Sequence, residues 1–325
     1  MKFKKDKEDQ IENLKKVTIG ILSFNSRDTI MRAIKGALSQ TWVNKEIIVI
    51  DDHSTDNSYD LINDSKYKDQ ILLIRNDENY GPGYSRNKIV EMANGDFVCF
   101  MDDDDYSYPK RISKQISSIY DAGYPKNKYV ISTCNILRKY ESGYVKKFFS
   151  MGTFGRYPKG NELADFLLFN SIKKGVDYGF ACPTSSMIGT KESFSLVGNF
   201  DNNLRRVEDM DICIRLSIKG ALFVSAKEFL IEQISTQGED KSSFKNFISE
   251  KKIIEKNKEY LEKKGLYKYC LLWSELRYFY FNRDILLCIF TLIKLLFFKP
   301  IKAISQFLRS SLKRLIHEYK INFFS

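Results

Sequence analysis

The feature that most constrains this chain is a fourfold alternation between Val17 and Met101, in which short β-rich apolar runs are separated by helical patterns. The runs are VTIGILS (17–23), EIIVI (46–50), ILLI (71–74) and DFVCFM (96–101). Helical stretches are expected at 28–40, 56–65 and 82–93, each preceded by a turn or capping residue such as Ser26, Ser54 or Gly81. Such an alternation predicts an α/β architecture, a Rossmann-like and mostly parallel central sheet flanked by helices. In open sheets of this kind ligands bind beyond the carboxyl ends of the strands. The residues there are Phe24-Asn25, Asp51-Asp52, Arg75-Asn76 and Asp102 to Asp105.

Those strand ends carry chemistry. Four consecutive aspartates follow a buried strand, and their mutual repulsion raises pKa values unless a cation neutralises them. Carboxylate oxygens are hard ligands suited to Mg²⁺ or Mn²⁺, and Asp102 and Asp104 point the same way if the strand continues through them. Asp51-Asp52 offers a carboxylate to a nucleobase N–H or a ribose hydroxyl, the N-cap role there suiting Ser54 and Asp56 better. His53 has no second histidine near it and is not expected to be catalytic. NYGPGYSRN (79–87) opens a helix with two glycines and places Arg86 one turn inside, a competent diphosphate site and equally a plain turn. In VEDMDICIRLSIKG (207–220), Glu208, Asp209 and Asp211 stand near a helix N-terminus, where acidic residues also complement the helix dipole.

The net charge of +11 looks at first like a nucleic-acid signature. Residues 1–240 hold 34 basic and 34 acidic side chains, whereas residues 241–325 hold 18 and 7. A neutral body with a basic, apolar tail is a poor match to a nucleic-acid-binding domain and a better one to an anionic membrane. The six cysteines are scattered without a CxxC pair, as reduced core residues of a cytosolic chain are. The N-terminal residues MKFKKDKEDQIENLKK have a positive start with no apolar run behind it, which does not read as an export signal.

Taken in order, VTIGILSFN, IIVIDDHSTDNS, NYGPGYSRN, FMDDDD and RRVEDMDICIRL, the last preceded by SSMIGTKESFSLVGNFD, resemble the inverting glycosyltransferase family 2, with the GT-A fold. The likeness covers about residues 16–235. It implies a catalytic domain at 16–240, divided into a nucleotide-binding half (16–105) and an acceptor half (106–240), after a short lead (1–15) and before a basic helical region (241–325). By position, Asp51 or Asp52 resembles the family's uracil or ribose contact, with Phe24 and Asn25 bordering the base and Arg86 the arginine of the nucleotide site. Asp102-Asp103-Asp104 occupies the D-x-D place, which implies Asp102 near the ribose or metal, Asp103 at the nucleotide and Asp104 on a Mn²⁺ or Mg²⁺ ion. Asp209 resembles the general base, and Glu208 the acid that orients the acceptor or the base itself. The implied reaction is a one-step displacement that moves one sugar from a nucleoside-diphosphate donor, by family habit a UDP-sugar, with inversion. No Gln-x-x-Arg-Trp motif is present, which favours single addition over processive synthesis. No histidine follows closely after Gly220, where some relatives place a metal ligand.

The frequency of Lys, Asn and Ile suggests a bacterial source, and with it a part in capsule, lipopolysaccharide or exopolysaccharide synthesis. Residues 285–298 form an apolar stretch interrupted by Lys294 and shorter than the roughly 20 residues a bilayer span needs. Beyond Pro300, Ile301, Ile304, Leu308, Leu312 and Leu315 share one helical face while Lys302, Arg309, Lys313 and Arg314 lie around the other. Residues 285–316 are therefore expected to contact the inner face of the plasma membrane peripherally, which suits a saccharide acceptor carried on a lipid. The alternative is a helical appendage packed on the catalytic domain or a partner. A sugar nucleotidyltransferase is a rival, but SFNSRD is not a glycine-rich phosphate loop. A glycoside hydrolase needs no nucleotide site, and a non-catalytic nucleotide-sugar-binding module shares the fold without the chemistry.

Overall fold

The structure is a computed structural model that describes residues 15–180, 182–234 and 242–309. The lead up to residue 14, the expected boundary near residue 240 and the tail from residue 310 lie outside the described residues. Contacts divide the chain into two compact units. The first takes in the chain up to Lys139, Val145–Ala164 and Ile172–Ile234, and the second Tyr140–Tyr144, Asp165–Ser171 and the chain from Ser235.

The first unit is built on β1 (Val17–Ser23), β2 (Lys45–Asp51), β3 (Leu72–Arg75) and β4 (Phe97–Asp102). They are joined by α1 (Ile30–Leu38), α2 (Ser58–Asn63) and α3 (Pro82–Met92). All pairings among these four strands are parallel. Helices cover both faces of such a sheet, so its strands are apolar throughout: Val17, Ile19, Ile21, Val49, Phe97 and Cys99 pack against Ile30, Ile34 and Ile116 in one buried cluster.

The remaining strands are β5 (Tyr106–Ser107), β6 (Val130–Lys139), β7 (Val145–Phe148), β8 (Ile188–Thr190) and β9 (Leu222–Ile234). Their helices are α4 (Arg111–Asp121), α5 (Glu162–Phe169), α6 (Lys191–Leu196) and α7 (Glu208–Ile218). The sheet runs β3-β2-β1-β4-β8-β6-β9-β5, with β7 on β6. This half is mixed: β8 runs antiparallel to β4 and β6, β5 to β9 and β7 to β6, while β9 is parallel to β6. A helical sequence pattern over 161–173 folds as the shorter α5, and a strand-like one over 185–190 as a 3₁₀ turn at Thr184–Ser186 followed by β8.

The second unit holds α8 (Ser243–Lys256), α9 (Lys258–Lys263), α10 (Tyr267–Phe281), α11 (Ile285–Phe298) and helical residues 300–309. Ser242 and Asp284 cap α8 and α11 by accepting from the Lys245 and Leu287 amides. Buried Tyr269 donates to Gln306 at 2.9 Å, and Arg277 pairs with Glu250 at 2.7 Å.

Candidate active site

Strand register gathers the site at one edge of the first unit. Ser23 pairs with Asp51, Leu22 with Asp102 and Asp51 with Arg75, so the loops after all four parallel strands open together. In the loop after β1, the amides of Phe24, Asn25, Ser26 and Arg27 donate to Asp103 Oδ2 (3.1 Å), Ser54 Oγ (3.0 Å), Ser58 Oγ (3.0 Å) and Asp56 Oδ2 (3.0 Å). Four successive amides are thus taken up within the protein, which leaves no cradle for a phosphate after the first strand. Asn25 sits at φ 49 and accepts from the Thr55 amide, and the Phe24 ring is exposed at the rim.

The two neighbouring aspartates at the end of β2 differ in kind. Asp52 accepts from Asn76 Nδ2 (2.7 Å), Gly81 N (2.8 Å), Tyr80 N (3.1 Å) and Ser85 Oγ (3.1 Å), so both its oxygens are occupied. It anchors the start of α3, and the diphosphate site expected there finds the Tyr80 and Gly81 amides already taken. Asp51 is fully buried. Its Oδ2 accepts from the Ser54 amide (3.1 Å) and lies 3.5 Å from Arg75 Nε, while its Oδ1 has no partner within the protein. An unsatisfied buried carboxylate oxygen is costly, and a nucleobase N–H or sugar hydroxyl is the kind of group that satisfies it. His53, at φ 63, lies 3.3 Å from the Asn76 carbonyl and takes no part in the acidic cluster.

The acidic run does not continue as a strand. β4 ends at Asp102, a turn occupies 103–104, and β5 begins at Tyr106. The turn sends Asp103 to the Phe24 amide and brings Asp102, Asp104 and Asp105 together, with one oxygen of each within 4.8 Å of the others. The cluster therefore contains Asp102 and Asp104 and adds Asp105. Burial and the charges of Asp102 and Asp104 push Asp105 well above the usual carboxylate range. Asp103 is pushed up to about 7 by burial, with Asp104 and Asp102 adding to it. Arg111, fully buried nearby, is committed to Gln115, Ser107 Oγ and the Phe100 carbonyl. An all-oxygen set in which like charges crowd together fits a hard divalent cation.

Arg86 joins this cluster to α7. Its Nη1 donates to Glu208 Oε1 at 2.5 Å and its Nη2 lies 3.6 Å from Asp102 Oδ1. Asp209 follows in the first turn of α7 and accepts from the Met210 amide. Burial raises Asp209, Glu208 raises it further, and it stands at about 7, Arg86 opposing. A carboxylate near pH 7 is suited to taking a hydroxyl proton.

Asp105 stands at a strand end in the sequence reading but receives no ligand role there, and Arg111 and Gln233, the latter donating to Asp105 at 2.7 Å, are not singled out at all. A turn breaking the aspartate run was the only signal available for the first. Arg111 and Gln233 approach from elements far apart in the chain, and nothing in the sequence marks them.

Residues 18–166 match the family described as Glycosyl transferase family 2. An Escherichia coli UDP-Glc:alpha-D-GlcNAc-diphosphoundecaprenol beta-1,3-glucosyltransferase, WfaP, is 36% identical over 147 residues, which are 45% of this chain and 53% of that protein. The succinoglycan biosynthesis protein ExoO of Rhizobium meliloti is 37% identical over 35% of this chain and 32% of its own length. The chain thus spans about half or less of the length of these relatives. The crystal structure of S. aureus TarS 1–349 superposes with a TM-score of 0.55 at 19% identity, over 83% of this chain and 73% of that one, a likeness of fold. Residues 18–166 thus carry the likeness to glycosyltransferase family 2, in a chain whose fold is of the GT-A kind.

Proposed function

We propose that this chain moves a single sugar from a nucleoside-diphosphate sugar, a UDP-sugar, to an acceptor hydroxyl with inversion at the anomeric carbon. The observation that carries the reading is the sharing of Arg86 between Asp102 and Glu208, which ties the acidic cluster to the helix bearing Asp209. Asp51 Oδ1 accepts a hydrogen bond from the base or ribose beside the Phe24 ring and Asn25. Asp102, Asp104 and Asp105 would hold Mn²⁺ or Mg²⁺, which supplies positive charge to a departing diphosphate. Asp209 takes the acceptor hydroxyl proton as that oxygen bonds to the anomeric carbon and the bond to the diphosphate breaks. Glu208, held by Arg86, orients the acceptor and keeps Asp209 proton-avid. Asp103 and Asp52 support the site by fixing the loops after β1 and before α3. S. aureus TarS, which shares this fold, has been solved in complex with UDP and with UDP-GlcNAc, and that supports a uridine nucleotide.

A panel of nucleotide sugars with Mn²⁺ or Mg²⁺, scored for released nucleoside diphosphate, tests the reading. Metal-dependent release from one donor that falls at least a hundredfold in Asp209→Asn is the expected result; binding of a nucleotide sugar without turnover would return the chain to a non-catalytic binding module, and neither binding nor turnover of any nucleotide sugar would refute the reading altogether.

The acceptor is a saccharide, carried on a lipid as the WfaP name indicates for that relative, and the setting is bacterial surface-polysaccharide synthesis at the cytoplasmic face of the membrane. Membrane contact runs through 285–316, of which 310–316 lie outside the described residues. No helix among the described residues is long and apolar enough to cross a membrane. Yet α11 and the helical residues after it leave Leu286, Phe297 and Ile301 more than 80% exposed, with Lys294 and Lys299 also exposed along the same stretch. That pairing suits an anionic bilayer surface. Flotation with phosphatidylglycerol vesicles, and not with phosphatidylcholine vesicles, that is lost in Leu286→Glu/Phe297→Glu is the expected outcome; equal flotation of that variant would refute membrane contact through this face.

A further inference from the structure

We infer that Asn87 is a positioning residue for Asp209, acting through segment 200–207, which it clamps against α3. The inference rests on Asp209 serving as the base proposed above.

No side chain caps α7, so its start is held in place by other means. Asn87, nearly buried, binds the backbone of Phe200 in both directions. Its Oδ1 accepts from the Phe200 amide at 2.8 Å, and its Nδ2 donates to the Phe200 carbonyl at 2.9 Å and to Asn202 Oδ1 at 2.8 Å. One turn earlier on the same face of α3, Gly83 lies so close that a Cβ there would stand 2.9 Å from the Asp201 carbonyl oxygen. Four residues before that, Asn79 accepts from Arg205 Nη1 and Nη2 through its side chain and its carbonyl, both at 2.8 Å. The spacing 79, 83, 87 thus grips the segment at 205, 201 and 200.

The segment ends at Val207, which sits at φ 58, ψ 18. A β-branched residue adopts that left-handed conformation only where its surroundings impose it. Glu208 and Asp209 come next. The clamp therefore fixes where the chain turns into α7, and with it where the Asp209 carboxylate stands. Arg86, gripping Glu208 and lying 5.8 Å from the Phe200 ring, works from the adjoining face.

The test compares Asn87→Ala and Arg205→Ala, alone and in an Asp209→Asn background. Arg205 is exposed, so its variant keeps the test open should Asn87→Ala not fold. kcat is measured with the nucleotide sugar that the donor panel selects, and UDP affinity with Mn²⁺ by calorimetry. Displacement of a catalytic group by about 1 Å costs up to about 100-fold, so kcat should fall about 10- to 100-fold in Asn87→Ala and by about 3-fold or more in Arg205→Ala. UDP affinity should stay within about 3-fold. Because the clamp acts through Asp209, either change should cost less than about 2-fold once Asp209 is Asn. Wild-type kcat in both single variants, or the same fold-loss with and without Asp209, would overturn the clamp. Wild-type kcat in Asp209→Asn alone would instead remove the base assignment on which it rests.

Discussion

Asp51 and Asp52 are adjacent and both buried, yet their replacement by Asn should have opposite consequences. Asp52 takes three donors on Oδ1 and one, the Gly81 amide, on Oδ2. In Asp52→Asn the best arrangement keeps the amide oxygen towards the three and turns its NH₂ against the Gly81 N–H. One charge-assisted hydrogen bond is lost, at about 1.5–3 kcal/mol, and one buried donor is left unpaired at about 1–3 kcal/mol, so destabilisation of about 2.5–6 kcal/mol follows. For a domain of this size each kcal/mol moves Tm by about 2–4 °C, giving a fall of about 5–24 °C. Asp51→Asn keeps its oxygen on the Ser54 amide, places its NH₂ where Oδ1 had no partner, and forfeits only a long pair to the half-exposed Arg75, worth about 0–1 kcal/mol. Its Tm should fall by less than about 4 °C. UDP affinity should instead weaken about 10- to 100-fold, the equivalent of one hydrogen bond to a charged acceptor. Thermal melts and calorimetric titration with UDP on the two variants decide the matter. Equal losses of Tm, or unchanged UDP affinity in Asp51→Asn, would refute the division of labour.

Three further outcomes are expected. Mn²⁺ at about a hundred times its Kd should stabilise the wild type by about 2.7 kcal/mol; Asp104→Asn/Asp105→Asn should abolish that shift and, without metal at pH 8, melt above the wild type because like charges have been removed, a gain that differential scanning fluorimetry reads directly. Chelation with EDTA should weaken UDP binding at least tenfold and leave uridine binding unchanged, since on the proposed reading it is the diphosphate that the metal would hold; calorimetry with both ligands checks this. Asp209 is raised from an ordinary carboxylate value of about 4 to about 7 by burial and by Glu208, with Asp102 also raising it and Arg86 opposing. The folded state therefore holds this proton more tightly than the unfolded chain, and stability present below about pH 4 is lost as pH rises towards 7. Asp209→Asn should accordingly melt higher than the wild type at pH 8 and not at pH 4, while wild-type kcat falls about tenfold per unit below pH 7.

The legibility of this fold in its sequence followed burial. β1, β2 and β4 are covered on both faces, so an unbroken apolar run announces each of them, and the helices between carry turn or capping residues at their starts. β9 was missed for the opposite reason. It pairs with β6 through irregularities around Asn135, and Lys227-Glu228 stand exposed in its middle, which breaks any periodic signal. Its partner is also more than eighty residues away, and local pattern carries no trace of such a pairing. At the site, the residue types at the strand ends were readable and their directions were not. Extending β4 through Asp104 placed Asp102 and Asp104 on one face; the turn at 103–104 achieves their convergence differently, diverting Asp103 to the Phe24 amide and recruiting Asp105.

NYGPGYSRN illustrates why a sound local argument reaches a different partner in the folded chain. A helix N-terminus attracts an anion through its free amides and its dipole, and the sequence gives no reason to prefer a phosphate over an internal carboxylate. Register supplies the carboxylate: β2 ends one residue before Asp52, and Asp52 reaches the Tyr80 and Gly81 amides at hydrogen-bonding distance. An anion tethered at that distance is always present, whereas a ligand phosphate must be drawn from solution, so the helix end is occupied from within. The amides after β1 are likewise taken by Asp56, Asp103 and two serines. With both amide cradles closed, the charge of a bound diphosphate must be met by the cation that Asp102, Asp104 and Asp105 would hold and by Arg86, which also reaches Glu208 beside Asp209. On the proposed mechanism the same guanidinium would both help bind the donor and set the charge around Asp209, and for that reason Arg86→Lys, which keeps one positive charge and loses the planar fork, should impair transfer more than it impairs UDP binding.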